Sequence, residues 1–314
     1  MQGQVIKLDR GFPLVRTEDG RSFRCELARA FEKSEDIRAV IGDKVLVLEP
    51  KGHDKGIIEK IEDRKTKLVR RDPAERTLPQ ILASNFDKVF VVHALSQLNT
   101  KRLERELVLA YETGADVALI LTKDDEVEDE AETSKLLDTV QNILGAQTPI
   151  YLSSTIDATG IDEIRAAIPP QTLAILLGKS GVGKSSLINA LVGKEVCPVG
   201  DVREADGKGR HTTVSREIID IPGAGRIVDM PGVRGLGMWE SDAGIAAAFP
   251  DIEAYAQRCR FRDCRHKNEP GCAVLAAVRA GELSKERLAS YQSLKEESEK
   301  TAERKREASW RKEV

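Results

Sequence analysis

Aromatic residues are scarce in this chain, at 4% of 314 positions, and there are only 4 histidines. No apolar run approaches the roughly 20 residues that a membrane-spanning helix needs, so no membrane partner is expected. The first residues, Met1-Gln2-Gly3-Gln4-Val5-Ile6-Lys7, lack the apolar stretch of a signal peptide, and the expected location is the cytoplasm. Five cysteines, an odd number, argue against a disulfide framework. A large net charge is missing too: 49 Lys and Arg against 52 Asp and Glu leave -3, which rules out little, though the chain does not read as a nucleic-acid binder in bulk.

The charge that is present is unevenly spread. Positions 124–132 hold seven acidic residues and no basic one, whereas 258–267 hold five basic residues and one acidic. A 40% hydrophobic content is enough for ordinary cores, and the length suits two or three domains. The first sixty-odd residues read as short strands at Gln4–Leu8, Phe12–Arg16, Ser22–Leu27, 42–48 and Gly56–Ile61, with a turn over Thr17-Glu18-Asp19-Gly20. A five-stranded OB-type barrel fits that length, and an SH3-like barrel fits almost as well. From Val89 the pattern changes: apolar runs at Val89–Val92, Val117–Leu121 and Thr172–Leu177 alternate with helical stretches at Lys101–Thr113 and Glu132–Leu144. Continuous apolar strands between helices imply a parallel sheet covered on both faces. The last seventy-odd residues are helical and charged, and Leu283–Val314 reads as one helix.

Gly178-Lys179-Ser180-Gly181-Val182-Gly183-Lys184-Ser185 matches the phosphate-loop pattern, with a strand before it and an apolar helix after it. Glycines let successive N–H groups curl inward at phosphate oxygens, and the helix N-terminus adds partial positive charge. Lys184 should reach the β- and γ-phosphates, Ser185 should ligate Mg²⁺, and Ser186 completes the nucleotide-contacting stretch. The base is chosen elsewhere, by Thr122-Lys123-Asp124-Asp125 directly after the run Val117–Leu121. The Asp125 carboxylate is placed to accept from N1–H and the exocyclic amine of guanine, while the Lys123 stem packs along the base. Adenine lacks that donor pair, so the carboxylate would lie unpaired against it. Ser153 and Ser154 sit in a small-residue segment suited to closing over guanine.

Asp125 precedes Lys184 by about sixty residues, the reverse of the Ras-like order. The domain is therefore circularly permuted, and its switch segments end it. One segment closes Gly209-Arg210-His211-Thr212-Thr213, where Thr212 and Thr213 are candidates for contacting magnesium and the γ-phosphate. The other is Asp229-Met230-Pro231-Gly232: Asp229 toward magnesium, the Gly232 N–H toward the γ-phosphate. Val233 stands where Ras-like enzymes carry a water-orienting Gln. Valine cannot hold water, so intrinsic hydrolysis should be slow. His211 is the candidate catalytic residue, and a partner-supplied group is the alternative. Further on, Cys259, Cys264, His266 and Cys272 make a Cys₃His set within fourteen residues, suited to one structural Zn²⁺. Arg260, Phe261, Arg262 and Arg265 between the ligands suit an RNA-facing surface.

Together these features resemble the RsgA (YjeQ) family of circularly permuted GTPases. The resemblance rests on Gly178–Asn189, Gly209–Thr213, Asp229–Arg234 and the Cys-Arg-Phe-Arg-Asp-Cys-Arg-His-x₅-Cys run from Cys259. It implies a multidomain chain with three parts. Residues 1–66 form an all-β OB-type barrel that binds ribosomal RNA, 67–239 the permuted α/β P-loop GTPase, and 240–314 an α-helical zinc-binding module. It implies GTP hydrolysis coupled to binding and release of the small ribosomal subunit during its late maturation, with GTP/GDP, the subunit and its rRNA as partners and a monomeric state. It favours a catalytic His211 and makes the hydrophobic Val233 ordinary. Thr122 for the commoner Asn and Met230 for a small polar residue depart from the pattern. The alternative is an RNA-binding module that uses GTP mainly as a structural ligand.

Overall fold

The computed structural model describes residues 1–9, 12–28, 38–50, 52, 54–71, 79–144, 148–199, 216–230, 239 and 241–313. Five strands open the chain: β1 (Gln2–Asp9), β2 (Phe12–Thr17), β3 (Ser22–Leu27), β4 (Lys44–Leu48) and β5 (Gly56–Ile61). Alternation drives them together: Val5, Val15, Cys25, Val45, Val47 and Ile58 all point into one small core. They pair in the order β1-β2-β3-β5-β4, β3 runs parallel to β5, and β4 returns to β1. That Greek-key closure is the OB arrangement and decides against an SH3-like barrel.

A two-stranded antiparallel ribbon, β6 (Lys67–Arg71) with β7 (Pro79–Ser84), follows the barrel. Next come β8 (Lys88–Ala94), β9 (Asp116–Thr122), β10 (Ile150–Ser153), β11 (Leu173–Leu177), β12 (Arg216–Asp220) and β13 (Arg226–Asp229). The order is β10-β9-β8-β11-β13-β12, all parallel except β12, which is antiparallel to β13. The sequence reading contained no strand at β12, whose charged Arg-Glu-Ile-Ile-Asp run carries little apolar signal. β12 also pairs with β1 through Lys7–Glu217 and Leu8–Arg216, so one ladder joins barrel and parallel sheet.

Four helices pack the sheet: α1 (Thr100–Glu112), α2 (Glu130–Leu144), α3 (Ile161–Ala166) and α4 (Lys184–Val192). The apolar strands bury both faces. Val89, Val91, Leu119, Leu121, Ile175 and Leu177 face the core that holds residues of α1 and α2, while Phe90, Val92, Ala118, Ile120, Ala174 and Leu176 face that of α3 and α4. This is why the runs are continuous rather than alternating. Beyond them lie α5 (Asp242–Ala248), α6 (Pro250–Ala256), α7 (Ala273–Ala280) and α8 (Lys285–Glu313). Phe249, Ile252, Val274, Tyr291 and Leu294 of this C-terminal region join the same core as α1 and α2.

Arg287 on α8 locks that junction. Its guanidinium donates to both Asp251 oxygens at 2.6 and 2.7 Å, to Glu104 on α1 at 3.0 Å, and to the carbonyls of Ile143 and Ala248 at 3.2 and 3.1 Å. It also lies over the Phe249 ring. Burial drives the Glu104 carboxyl above its ordinary value, against the opposing pull of Ser290 and Arg287. Removing the guanidinium leaves Glu104 buried beside no cation of that pair. Breaking a buried pair costs about 3–5 kcal/mol, so Arg287→Met should lower unfolding free energy by about 3 kcal/mol, read as the denaturant midpoint.

Candidate functional site

The candidate nucleotide residues that the structure describes lie at the carboxyl ends of the parallel strands. Gly178 follows β11, Lys123 follows β9, Ser153 ends β10 and Asp229 ends β13. Residues 178–183 curl from β11 into α4, with Gly181 and Gly183 at φ of 85° and 93°. At Gly178 a Cβ would lie 2.4 Å from the Val92 carbonyl oxygen, so only glycine lets the loop leave β11 beside β8. Lys184 is buried, and its ammonium donates to the carbonyls of Gly178 and Lys179, both at 3.0 Å. Burial lowers its pKa, opposed by the charges of Asp229 and Glu106. Lys179, Ser180 and Gly181 are exposed at the loop's outer surface.

The Ser185 hydroxyl lies 3.4 Å from Asp229 Oδ2. Asp229 Oδ1 is buried with no hydrogen-bond partner among the described residues. Burial raises this carboxyl, opposed by Lys184 and Ser185. An orphaned carboxylate oxygen beside a hydroxyl is a hard oxygen-donor pair, and it fits a magnesium ion. Met230 is 1% exposed within the main core, which accounts for an apolar residue beside that aspartate.

Thr122 ties the two motifs together. Its hydroxyl lies 2.5 Å from the Val182 carbonyl of the phosphate loop and 3.1 Å from the His93 carbonyl of β8. The threonine that departs from the family pattern thus bonds the loop directly. Lys123 takes φ of 60°, and a single 3₁₀ turn, Asp124–Glu126, carries Asp125 outward. Ser153 stands opposite Thr122 in the β9–β10 register, and its buried hydroxyl has no partner among the described residues. The Ser154 hydroxyl accepts from the Ile156 N–H at 3.1 Å. Ser186 lies half-buried on α4. His211, Thr212, Thr213, Gly232 and Val233 lie outside the described residues.

Sequence reading missed a buried pair beneath the loop. His93 Nε2 lies 2.9 Å from Glu106, whose other oxygen accepts from Arg102 Nε at 2.9 Å. Burial works to raise the Glu106 carboxyl, but His93 and Arg102 outweigh it and hold it low. No motif signals this pair, since His93 sits within an apolar strand and Glu106 within an ordinary helix. Asn189 on α4 also holds a loop beyond the motif residues. It accepts from the N–H groups of Val196 and Cys197 at 2.9 and 2.8 Å and donates to the Cys197 carbonyl at 2.8 Å.

The four residues Cys259, Cys264, His266 and Cys272 converge, their ligand atoms all within 4.8 Å of one another. Metal–sulfur bonds of about 2.3 Å in a tetrahedron place sulfurs about 3.8 Å apart. Cys259 and Cys272 stand at 3.9 Å, and His266 Nδ1 lies 3.6 and 3.4 Å from them. His266 takes a left-handed φ of 55°, and its carbonyl accepts from Gln292 of α8 at 2.6 Å. Donor chemistry and spacing both fit one tetrahedral ion.

The model of the RsgA GTPase family matches residues 61–239. The small ribosomal subunit biogenesis GTPase RsgA of Streptomyces avermitilis is 41% identical over 303 residues, covering 96% of this chain and 80% of that protein. The protein of the same name from Methanosarcina acetivorans is 38% identical over 259 residues, covering 82% of this chain and 69% of that one. Among solved structures, YjeQ from Thermotoga maritima aligns with a TM-score of 0.70 and 25% identity, covering 95% of this chain and 98% of that one. YloQ, described as a circularly permuted GTPase, shares the fold with a TM-score of 0.67 at 24% identity, covering 95% of each chain.

The cysteine cluster generates a direct test. Elemental analysis of purified protein should find about one tightly held metal per chain, and Cys264→Ala should lose most of it. Full retention by that variant would rule out a four-ligand site.

Proposed function

The chain belongs to the RsgA GTPase family, and from that membership we propose that it couples GTP hydrolysis to binding and release of the small ribosomal subunit during late maturation. The chain is a GTPase. The observation that carries the reading is the convergence at one sheet edge: a phosphate loop with its buried lysine, the Ser185–Asp229 pair, and the Thr122 hydroxyl joining loop to base motif.

In this reading the backbone of 178–183 and the Lys184 ammonium hold the phosphates. Nucleotide oxygens would take the place of the Gly178 and Lys179 carbonyls around that ammonium. Ser185 and Asp229 would hold the magnesium, which neutralises charge on the β- and γ-phosphate oxygens when bound with GTP. Asp125 reads guanine, the Lys123 stem covers the base, and Ser153 and Ser154 close its other side. His211 is assigned to the attacking water, and Thr212, Thr213 and Gly232 to the γ-phosphate end, from sequence alone. Zinc is the ion assigned to Cys259, Cys264, His266 and Cys272. Four protein ligands leave no open position, so its role is structural.

The units proposed are a barrel at 1–66, the GTPase at 67–239 and a zinc module at 240–314. Several contacts support their acting together. Arg105 on α1 pairs with Glu297 on α8 at 2.7 Å, and Lys305 of α8 lies 3.9 Å from the Trp239 ring centroid. Exposed Arg258, Arg260, Phe261, Arg262 and Arg265 suit contact with rRNA. Among the described residues no helix is long and apolar enough to cross a membrane. We place the activity in the cytoplasm, with the protein acting as a monomer.

Small subunits should raise the GTP hydrolysis rate at least about tenfold, and large subunits should not. Equal rates with and without small subunits would defeat the proposal. Thr122→Val keeps the shape but removes the tie to Val182, and it should weaken GDP binding about fivefold by calorimetry.

A further inference from the structure

The guanine motif is expected to act through Asp125, yet Asp125 stands on a slender support. The turn Asp124–Glu126 has two backbone bonds of its own, Glu126 N–H to the Lys123 carbonyl and Val127 N–H to the Asp124 carbonyl, both at 3.1 Å. It starts from Lys123 in the left-handed region, where a side chain is sterically disfavoured. A single 3₁₀ turn with so few bonds does not by itself hold a carboxylate in one place against a base.

Glu126 supplies the missing ties. One carboxylate oxygen accepts from the Lys123 ammonium at 2.6 Å, and the other from the Ser96 hydroxyl at 2.5 Å. Ser96 belongs to the short turn Leu95–Gln97 that follows β8. The carboxylate therefore spans two neighbouring strand ends. The Lys123–Glu126 pair closes the turn from residue i to i+3, laying the lysine stem along it. The Ser96 bond fastens the same turn to the end of β8, which also carries the His93 carbonyl that faces Thr122.

We propose that Glu126, outside the T-K-x-D motif, is a positioning residue for guanine recognition: its carboxylate braces Lys123 and Ser96 and so fixes the turn that presents Asp125. It touches no part of the nucleotide. Its influence is on how well the Asp125 carboxylate meets both guanine donors at once. A displaced carboxylate loses one of two paired bonds first, so base discrimination should suffer beyond simple weakening. The inference rests on the guanine reading of Asp125.

The test is nucleotide binding by the full chain, using GDP, IDP (which lacks the exocyclic amine) and inorganic tripolyphosphate, which has no base. Glu126→Ala should weaken GDP about threefold, the scale of an exposed ion pair, and narrow the preference for GDP over IDP. Tripolyphosphate affinity should stay unchanged. Ser96→Ala should show a smaller loss, and Glu126→Gln, whose amide oxygen still accepts from Lys123 while its NH₂ donates to the Ser96 hydroxyl, should retain most of the wild-type preference. In a Lys123→Met background, Glu126→Ala should cost less than in the wild type. An unchanged GDP-to-IDP preference, an equal loss for tripolyphosphate, or tighter GDP binding by Glu126→Ala would overturn the proposal. If wild-type protein binds ADP as well as GDP, the guanine reading itself fails, a distinct result from a discriminating wild type that Glu126→Ala leaves unaltered.

Discussion

A parallel sheet has only one carboxyl edge, and everything proposed for this protein depends on that constraint. Because β10, β9, β8, β11 and β13 all run the same way, the segments leaving them emerge on one side. Residues 123, 154, 178 and 230 are thereby neighbours in space although they span over a hundred positions of chain. The constraint does not depend on where the chain enters the sheet. A circular permutation changes which strand comes first and leaves the edge intact. What it does alter is the exit: β13 is the last of the described strands, and α5 and the C-terminal helices come next in chain order.

At that edge the site is held by polar groups serving fixed neighbours. The Thr122 hydroxyl faces two carbonyls, one from the phosphate loop and one from β8. Asp229 is the counter-example, a buried carboxylate with one oxygen that no described residue partners. Buried polar atoms without partners are costly, and they cluster where a ligand completes them. The three thiols and the His266 imidazole likewise form a donor set that suits one ion.

The C-terminal region is joined to the sheet by charge as much as by apolar surface. Arg287 bonds groups on or beside α1, α2, α5 and α6 at once, and Arg105–Glu297 adds a second link between α1 and α8. Buried ion pairs are poor sources of net stability, but they are demanding about geometry. A guanidinium with acceptors on four elements permits one arrangement of those elements. The barrel is joined to the sheet by strand pairing and by polar contacts such as Lys7–Glu217 and Arg16–Asp220. The catalytic sheet thus has a structural neighbour on each flank.

Local patterns made much of this legible beforehand. The apolar runs marked β8, β9 and β11, because burial on both faces leaves no room for polar alternation. The phosphate loop, the Thr122–Asp125 motif and the cysteine set could be read because each is a short segment whose chemistry depends on close spacing. The barrel strands were readable, but the choice between two barrels was not, since both use similar strands and differ only in which strands pair. β12 escaped notice because only Ile218 of its five residues is buried, so its charged run carries little apolar signal. The links from Arg287 to Glu104, His93 to Glu106 and Glu126 to Ser96 were equally invisible. Their partners lie 183, 13 and 30 positions apart, and no local periodicity records such a pairing. Sequence by itself determined which chemistry the chain carries, because that is written in neighbouring residues. Tertiary structure alone decided which groups hold that chemistry in place, because hydrogen bonds between distant residues exist only once the sheet and helices have brought them together.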